Sequence, residues 1–121
     1  MVRFFLDTFA MFEITNGNPR YEKYLNYDFS TSMQNLCELY YNLLKTNGED
    51  FARNCFNRFR HFVVQIKDVH IFNASKFRLD NSRLNLSYAD ALGYAIAKEE
   101  EAKFLTGDKA FRNMDNVEFV R

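Results

Sequence analysis

Two apolar runs at opposite ends of the chain each stop at an aspartate. Val2-Arg3-Phe4-Phe5-Leu6 ends in Asp7, and Ala102-Lys103-Phe104-Leu105-Thr106 ends, one glycine later, in Asp108. If the two runs are neighbouring parallel strands, both carboxylates emerge at the same carboxyl edge of a sheet, where open α/β sheets bind ligands. Two carboxylates in one cleft attract a divalent cation, because oxygen ligands suit hard ions such as Mg²⁺. The same two residues would also serve as helix caps after their strands.

The elements that must position this pair can be followed along the chain. Residues 2–6 form a run short enough for a buried strand. Thr8 is placed to cap a helix through Phe9-Ala10-Met11-Phe12-Glu13-Ile14, which stops at Asn16-Gly17-Asn18-Pro19. A short helical piece follows over 20–26, and Asp28-Phe29-Ser30-Thr31-Ser32 reads as a break rich in cap residues. From Met33 the residues Met33, Leu36, Cys37, Tyr40, Tyr41 and Leu44 fall at steps of three and four and predict an amphipathic helix ending at Asn47-Gly48. Cys37 then belongs to the core stripe, while Glu38 lies with Gln34 and Asn42 on the polar flank. Glu49-Asp50 open another helix with Phe51, Cys55, Phe59 and Phe62 at near-helical spacing. Phe62-Val63-Val64-Gln65-Ile66 predicts a second strand, and 69–79 a helix followed by a turn at 80–82. Ser87-Tyr88-Ala89-Asp90 has the capping-box form and opens an alanine-rich helix to about Glu101. Strands over 102–106 and 117–120, with a turn or short helix at 108–112, complete the chain. Strands alternating with helices predict a parallel sheet covered on both faces.

With 121 residues the chain suits one domain, 1–121, and 47% hydrophobic content with a single proline argues against disorder. No apolar run approaches the roughly 20 residues a membrane span needs, and the start turns acidic too soon for a signal peptide. Cys37 and Cys55 make neither a disulfide framework nor a zinc site, which fits a reduced, cytoplasmic setting. Net charge is zero but unevenly spread: residues 51–83 carry 7 basic and 2 acidic side chains, against 4 and 7 in 1–50 and 5 and 7 in 84–121. Acidic ends around a basic middle fit a metal cleft beside a phosphate-binding surface, and are equally compatible with solvated helix faces.

Leu86-Ser87-Tyr88-Ala89-Asp90-Ala91, then Phe104-Leu105-Thr106-Gly107-Asp108-Lys109-Ala110-Phe111, then Val117-Glu118-Phe119-Val120, resembles the closing portion of PIN-domain nucleases. Phe5-Leu6-Asp7-Thr8 is similar to their first motif, and Glu38 within Asn35-Leu36-Cys37-Glu38-Leu39-Tyr40 to their acidic second motif. The resemblance covers the whole chain in order. It implies a three-layer α/β/α sandwich around a parallel sheet of four to five strands. It also implies an acidic site of Asp7, Glu38, Asp90 and Asp108 binding Mg²⁺ or Mn²⁺, supported by Thr106 and Thr8. Small members of this kind are often VapC-type toxins, which cut RNA, dimerise and are silenced by a small antitoxin.

Phosphodiester hydrolysis needs an activated water and charge relief on phosphoryl oxygens, which divalent ions supply. Asp7 and Asp108 suit direct ligation because strand ends are rigid, and Asp90 is a third candidate. The longer Glu38 suits binding through water or orienting the nucleophile. Each acid also has a structural use: Asp90 as the capping-box partner of Ser87, Glu38 as a solvated helix residue, and Asp115 as a turn residue. Arg53, Arg58, Arg60, Lys76, Arg78, Arg83 and Lys109 are candidates for RNA phosphates. His61 and His70 lack metal-ligand spacing to any cysteine and suit the surface. A receiver-like phosphoacceptor would need an acidic pair near Asp7, and a haloacid-dehalogenase-like phosphatase Asp-x-Asp, where this chain has Asp7-Thr8-Phe9. A PIN-like module that binds RNA or protein without cutting, and a processing nuclease, are the remaining alternatives.

Overall fold

A computed structural model describes residues 2–121. Strands β1 (Arg3–Leu6), β2 (Asp28–Ser30), β3 (Lys103–Thr106) and β4 (Val117–Phe119) form one sheet in the order β2-β1-β3-β4, every pair parallel. Five helices surround it: α1 (Thr8–Thr15), α2 (Met33–Asn47), α3 (Glu49–Arg60), α4 (Asp68–Asp80) and α5 (Tyr88–Glu99). The chain leaves β1 toward β2 on one side and later returns to β3 on the other, so the carboxyl ends of β1 and β3 form the switch point where such sheets bind ligands.

Successive strand side chains point to opposite faces, and the two cores follow from that. Phe4, Leu6 and Leu105 enter one core with Met11 of α1, Leu36, Leu39 and Leu43 of α2, and Phe59 of α3. Phe5 and Phe104 enter the other with Ala74 of α4 and Leu92, Ala95 and Ile96 of α5. The result is the expected α/β/α sandwich, its central strands apolar on both faces. Gly93 permits α5 to lie close to the sheet: a Cβ there would stand 2.7 Å from the Phe5 ring and 3.1 Å from Asn35 Oδ1. No helix of the described residues is long and apolar enough to cross a membrane.

Four local expectations are corrected. The break at 28–32 contains β2, because Asp28–Ser30 find the open edge of Arg3–Phe5 before Ser32 caps α2. The strand expected over 62–66 shrinks to one bridge between Thr31 and Val63, with backbone bonds of 3.0 and 2.9 Å on either side. The buried side of α2 is Asn35, Leu36, Leu39 and Leu43, which leaves Cys37 and Tyr41 exposed. Asn35 draws that side inward, since its buried amide accepts from the Ser32 hydroxyl at 2.6 Å and donates to Thr8 Oγ1 at 3.3 Å. His70 is fully buried rather than on the surface; its Nδ1 accepts the Lys67 N–H at 3.0 Å at the start of α4.

Candidate active site

Asp7 follows β1 and is itself the N-cap of α1, in place of Thr8: the Ala10 N–H donates to its Oδ1 at 2.8 Å. The hydroxyl of Thr106, at the end of β3, donates to its Oδ2. Thr106 Oγ1 in turn accepts the Asp108 N–H at 3.0 Å, and Asp108 Oδ1 accepts the Ala110 N–H at 3.0 Å. A single buried threonine therefore fixes both strand-end acids, one through its hydroxyl hydrogen and one through its oxygen. The turn between them is tight. At Gly107 a Cβ would lie closer than 3.0 Å to both the Phe9 ring and the Val120 carbonyl oxygen.

Thr8, freed from capping, is the first residue of α1. Its hydroxyl lies 3.0 Å from the Asn35 carbonyl and 3.1 Å from Glu38 Oε1, so α1 steadies the acid of α2. Asp90 stands in the first turn of α5, where the expected capping box forms: its Oδ2 accepts the Ser87 N–H at 3.1 Å and Ser87 Oγ accepts the Asp90 N–H at 3.1 Å.

The four carboxylates act on one another. Burial pushes the Asp7 carboxyl up to about 8; hydrogen bonds from Thr106 and Ala10 oppose this, and the charges of Asp90 and Asp108 add to it. Burial also raises Asp90, against its bonds to Ser87 and with the help of the Asp108 charge. Glu38 is raised by burial and by Asp90, against its hydrogen bonds from Thr8 and Ser87. Asp7, Asp90 and Asp108 line one cleft of about 420 Å³, walled by Phe9 and Phe12 of α1 and by Asn42 and Lys45 of α2. Glu38 opens onto the adjoining recess with Tyr41, and Asn42 borders both spaces. A larger groove of about 550 Å³, floored by Phe29, Phe59 and Phe62, holds none of the four acids.

The donor set fits a hard divalent cation: Asp7, Asp90 and Asp108 share one cleft, and the charge of Asp90 reaches both Asp7 and Glu38. Among the described residues no three ligating groups stand at ready coordination spacing. Both oxygens of Asp7, and one each of Asp90 and Asp108, are engaged with backbone N–H groups or Thr106, which leaves the second oxygens of Asp90 and Asp108 outside those bonds.

None of the basic residues named from sequence lines the acidic cleft. Arg53 pairs with Glu49 at 3.1 Å, Arg58 borders the apolar groove, and Arg60 is exposed in the last turn of α3. Arg78 donates to the Leu86 carbonyl at 2.8 Å and lies 4.4 Å from the Tyr88 ring centroid, where it braces the approach to α5. Lys76, Arg83 and Lys109 are exposed, Lys109 immediately after Asp108. Asp115 accepts from the Tyr94 hydroxyl at 2.8 Å and pairs with Lys98 at 3.0 Å, a structural tie to α5. Sequence reasoning missed Lys45, although Glu38, Asn42 and Lys45 share one helical stripe at i, i+4 and i+7.

Comparison with known proteins agrees with this fold. The sequence matches the PIN domain over residues 4–117, and the chain belongs to the PIN domain family. Among solved structures, the fold matches DNA-bound VapBC from Salmonella typhimurium with TM-score 0.75 at 17% identity, covering 99% of this chain and 98% of that one. It matches VapC20 from Mycobacterium tuberculosis, a Sarcin-Ricin loop cleaving toxin, with TM-score 0.74 at 16% identity, covering 94% and 98%. VapBC2 from Rickettsia felis bound to a promoter DNA fragment gives 0.73 at 19%, covering 98% of each chain. No curated protein matches in sequence.

Proposed function

We propose that the chain is a metal-dependent endoribonuclease and the toxin of a toxin–antitoxin pair. The observation that carries this is the convergence of Asp7, Asp90 and Asp108 in one cleft, with Glu38 beside them, in a PIN domain. Mg²⁺ or Mn²⁺ held by Asp7, Asp90 and Asp108, with Glu38 through water, would lower the pKa of an attacking water and take up charge on the phosphoryl oxygens. Thr106 holds Asp7 and Asp108 at fixed separation, and α5 presents Asp90 from its first turn. Glu38, on a longer side chain steadied by Thr8, orients the water and accepts its proton. The new bond joins water oxygen to phosphorus as the P–O bond to the leaving nucleotide breaks. Lys109 and the exposed arginines of α3 offer contacts to outlying phosphates.

The test is cleavage of single-stranded RNA with Mg²⁺, Mn²⁺ or chelator, compared with Asp108→Asn. We expect cleavage only with metal, and a loss of at least about 100-fold in the variant, in the range that removal of one transition-state stabilising group produces. RNA left intact under every metal condition, with binding retained, would favour a binding module. Undiminished cleavage by the variant would overturn the acidic site.

The VapBC likenesses support an antitoxin as partner. Expression of this chain alone should slow growth, and co-expression with a neighbouring small chain should relieve it. Harmless expression with no co-purifying partner would favour a processing nuclease. Two free cysteines, one of them exposed, suit a reducing cytoplasm. A homodimer is supported by α4, which is apolar on both sides: Ala74 faces the core while Phe72 and Leu79 are 68% and 75% exposed. These two lie seven residues apart on one stripe, so an antiparallel copy across a two-fold axis sets Phe72 of one against Leu79 of the other. Phe72→Glu should convert a dimer to monomer in sedimentation velocity. A native chain that sediments as a monomer at high concentration would exclude the dimer.

A further inference from the structure

We infer that Lys45 and Phe12 form a nucleotide grip beside the acidic floor, Lys45 taking the phosphate next to the one being cut and Phe12 stacking on an unpaired base. This rests on the nuclease function proposed above and names how its substrate is held. The cleft is asymmetric. Its floor is carboxylate, one wall is the Phe9 and Phe12 rings with Glu13 beside them, and the other is Asn42, Lys45 and Thr46. Among the described residues lining it, Lys45 is the one cation. A polyanion meeting acidic groups needs a positive contact outside the reacting centre, and Lys45 is placed for it. It stands seven residues beyond Glu38 on the same stripe of α2, about 10 Å along the axis at 1.5 Å per residue. Burial falls along that stripe from buried Asn35 through half-buried Glu38 and Asn42 to exposed Lys45. The Lys45 ammonium lies 4.8 Å from the Tyr41 ring centroid, so an aromatic face positions it at the rim.

The aromatic wall sets the kind of strand admitted. Phe9 is fixed between Gly107 and Arg121, whose guanidinium lies 5.5 Å from its centroid. Phe12, one turn further on, is half-buried, with its inner side on the core of α1 and α2 and its ring at the cleft. A ring on the wall can receive a base only if that base is not already stacked inside a duplex, which selects single strands, loops or ends.

The experiment uses the full chain carrying Asp108→Asn, so that RNA stays intact, and a short fluorescein-labelled single-stranded RNA of mixed sequence followed by anisotropy across a KCl series. Lys45→Gln should weaken binding about tenfold and flatten the slope of log K against log salt by about 0.7, the value for one phosphate on a single strand. Lys45→Arg should restore both. Phe12→Ala should weaken binding about tenfold with the slope unchanged, and Phe12→Tyr should restore it. In the otherwise native chain, Lys45→Gln should raise KM and leave kcat within about twofold, as for a contact made equally in ground and transition states. A Lys45→Gln variant with the parent's affinity and slope overturns the grip, as does equal binding of duplex and single strand. Native chain that cuts RNA while both variants bind like the parent removes the grip and leaves the nuclease. Chain that binds through Lys45 and Phe12 but never cuts leaves the grip and removes the nuclease. A parent that binds no RNA at any salt overturns both.

Discussion

Asp7→Asn is expected to abolish metal-dependent cleavage of RNA and, at the same time, to raise the melting temperature of the metal-free protein at pH 8. The two effects have one cause. Asp7 is 2% exposed, and its carboxyl is raised to about 8 by burial and by the charges of Asp90 and Asp108. The folded value lies above the ordinary aspartate value of 3.8, so the folded chain holds this proton more tightly than the unfolded chain. Protonation therefore stabilises the fold. That contribution is complete below about pH 3.8, declines as pH rises and is lost above about 8. Asparagine keeps the cap, since its oxygen can still accept from Ala10 and its amide can donate to Thr106. What it removes is the buried charge. Each tenfold difference in proton affinity between folded and unfolded chain corresponds to about 1.4 kcal/mol. Allowing for relaxation around the ionised group, a gain on the order of 2 kcal/mol at pH 8 is expected, or about 5–10 °C. Calorimetry in chelator between pH 5 and pH 8 should show the native chain losing stability with pH and the variant changing less. Mg²⁺ should raise the melting temperature of the native chain more than that of the variant. Equal melting curves at both pH values would contradict the buried-charge account.

Gly107→Ala should destabilise the fold and lower the activity together. The added methyl meets the Phe9 ring on one side and the Val120 carbonyl on the other. The ring can turn away, but the carbonyl is backbone held by the Val120 N–H bond to Thr106 at 2.9 Å. Overpacking of this kind costs about 1–3 kcal/mol, and here the strain falls between Thr106 and Asp108. The urea midpoint should fall, and cleavage should drop even where the variant is fully folded. Phe9→Ala combined with Gly107→Ala should recover only part of the stability, since the carbonyl contact remains. A Gly107→Ala protein with native midpoint and native activity would show that the turn has slack.

Much of this site was legible because its anchors coincide with strong local signals. Apolar runs ending in Asp7 and Asp108 became β1 and β3, and the Ser87–Asp90 capping box formed as spelled. Capping does not take the acids out of the cleft: Asp7 and Asp108 are N-caps, Asp90 completes the Ser87 capping box, and all three line it. The parts that were not legible depend on partners distant in sequence. Three polar-leaning residues, Asp28–Ser30, form β2 only because Arg3–Phe5 offer an edge. The β-branched run at 62–66 has a partner at Thr31 alone. The inward turn of α2 is decided by Asn35, whose bonds to Ser32 and Thr8 no periodicity of apolar residues records.

The order in which the sheet is assembled has a consequence for synthesis. β1 is made first, yet one of its two neighbours is β3, whose residues lie about a hundred positions later and whose Leu105 carbonyl accepts the Asp7 N–H at 3.3 Å. A nascent chain that has not yet reached Lys103 carries Asp7, Glu38 and Asp90 but lacks the hydroxyl that orients Asp7 and the fourth acid itself. Until Thr106 and Asp108 have been added, at roughly 5–20 residues per second, the four acids cannot assemble. The topology thus makes the centre wait for β3, so a chain already folded around β1 and β2 gains its full set of acids in one late step.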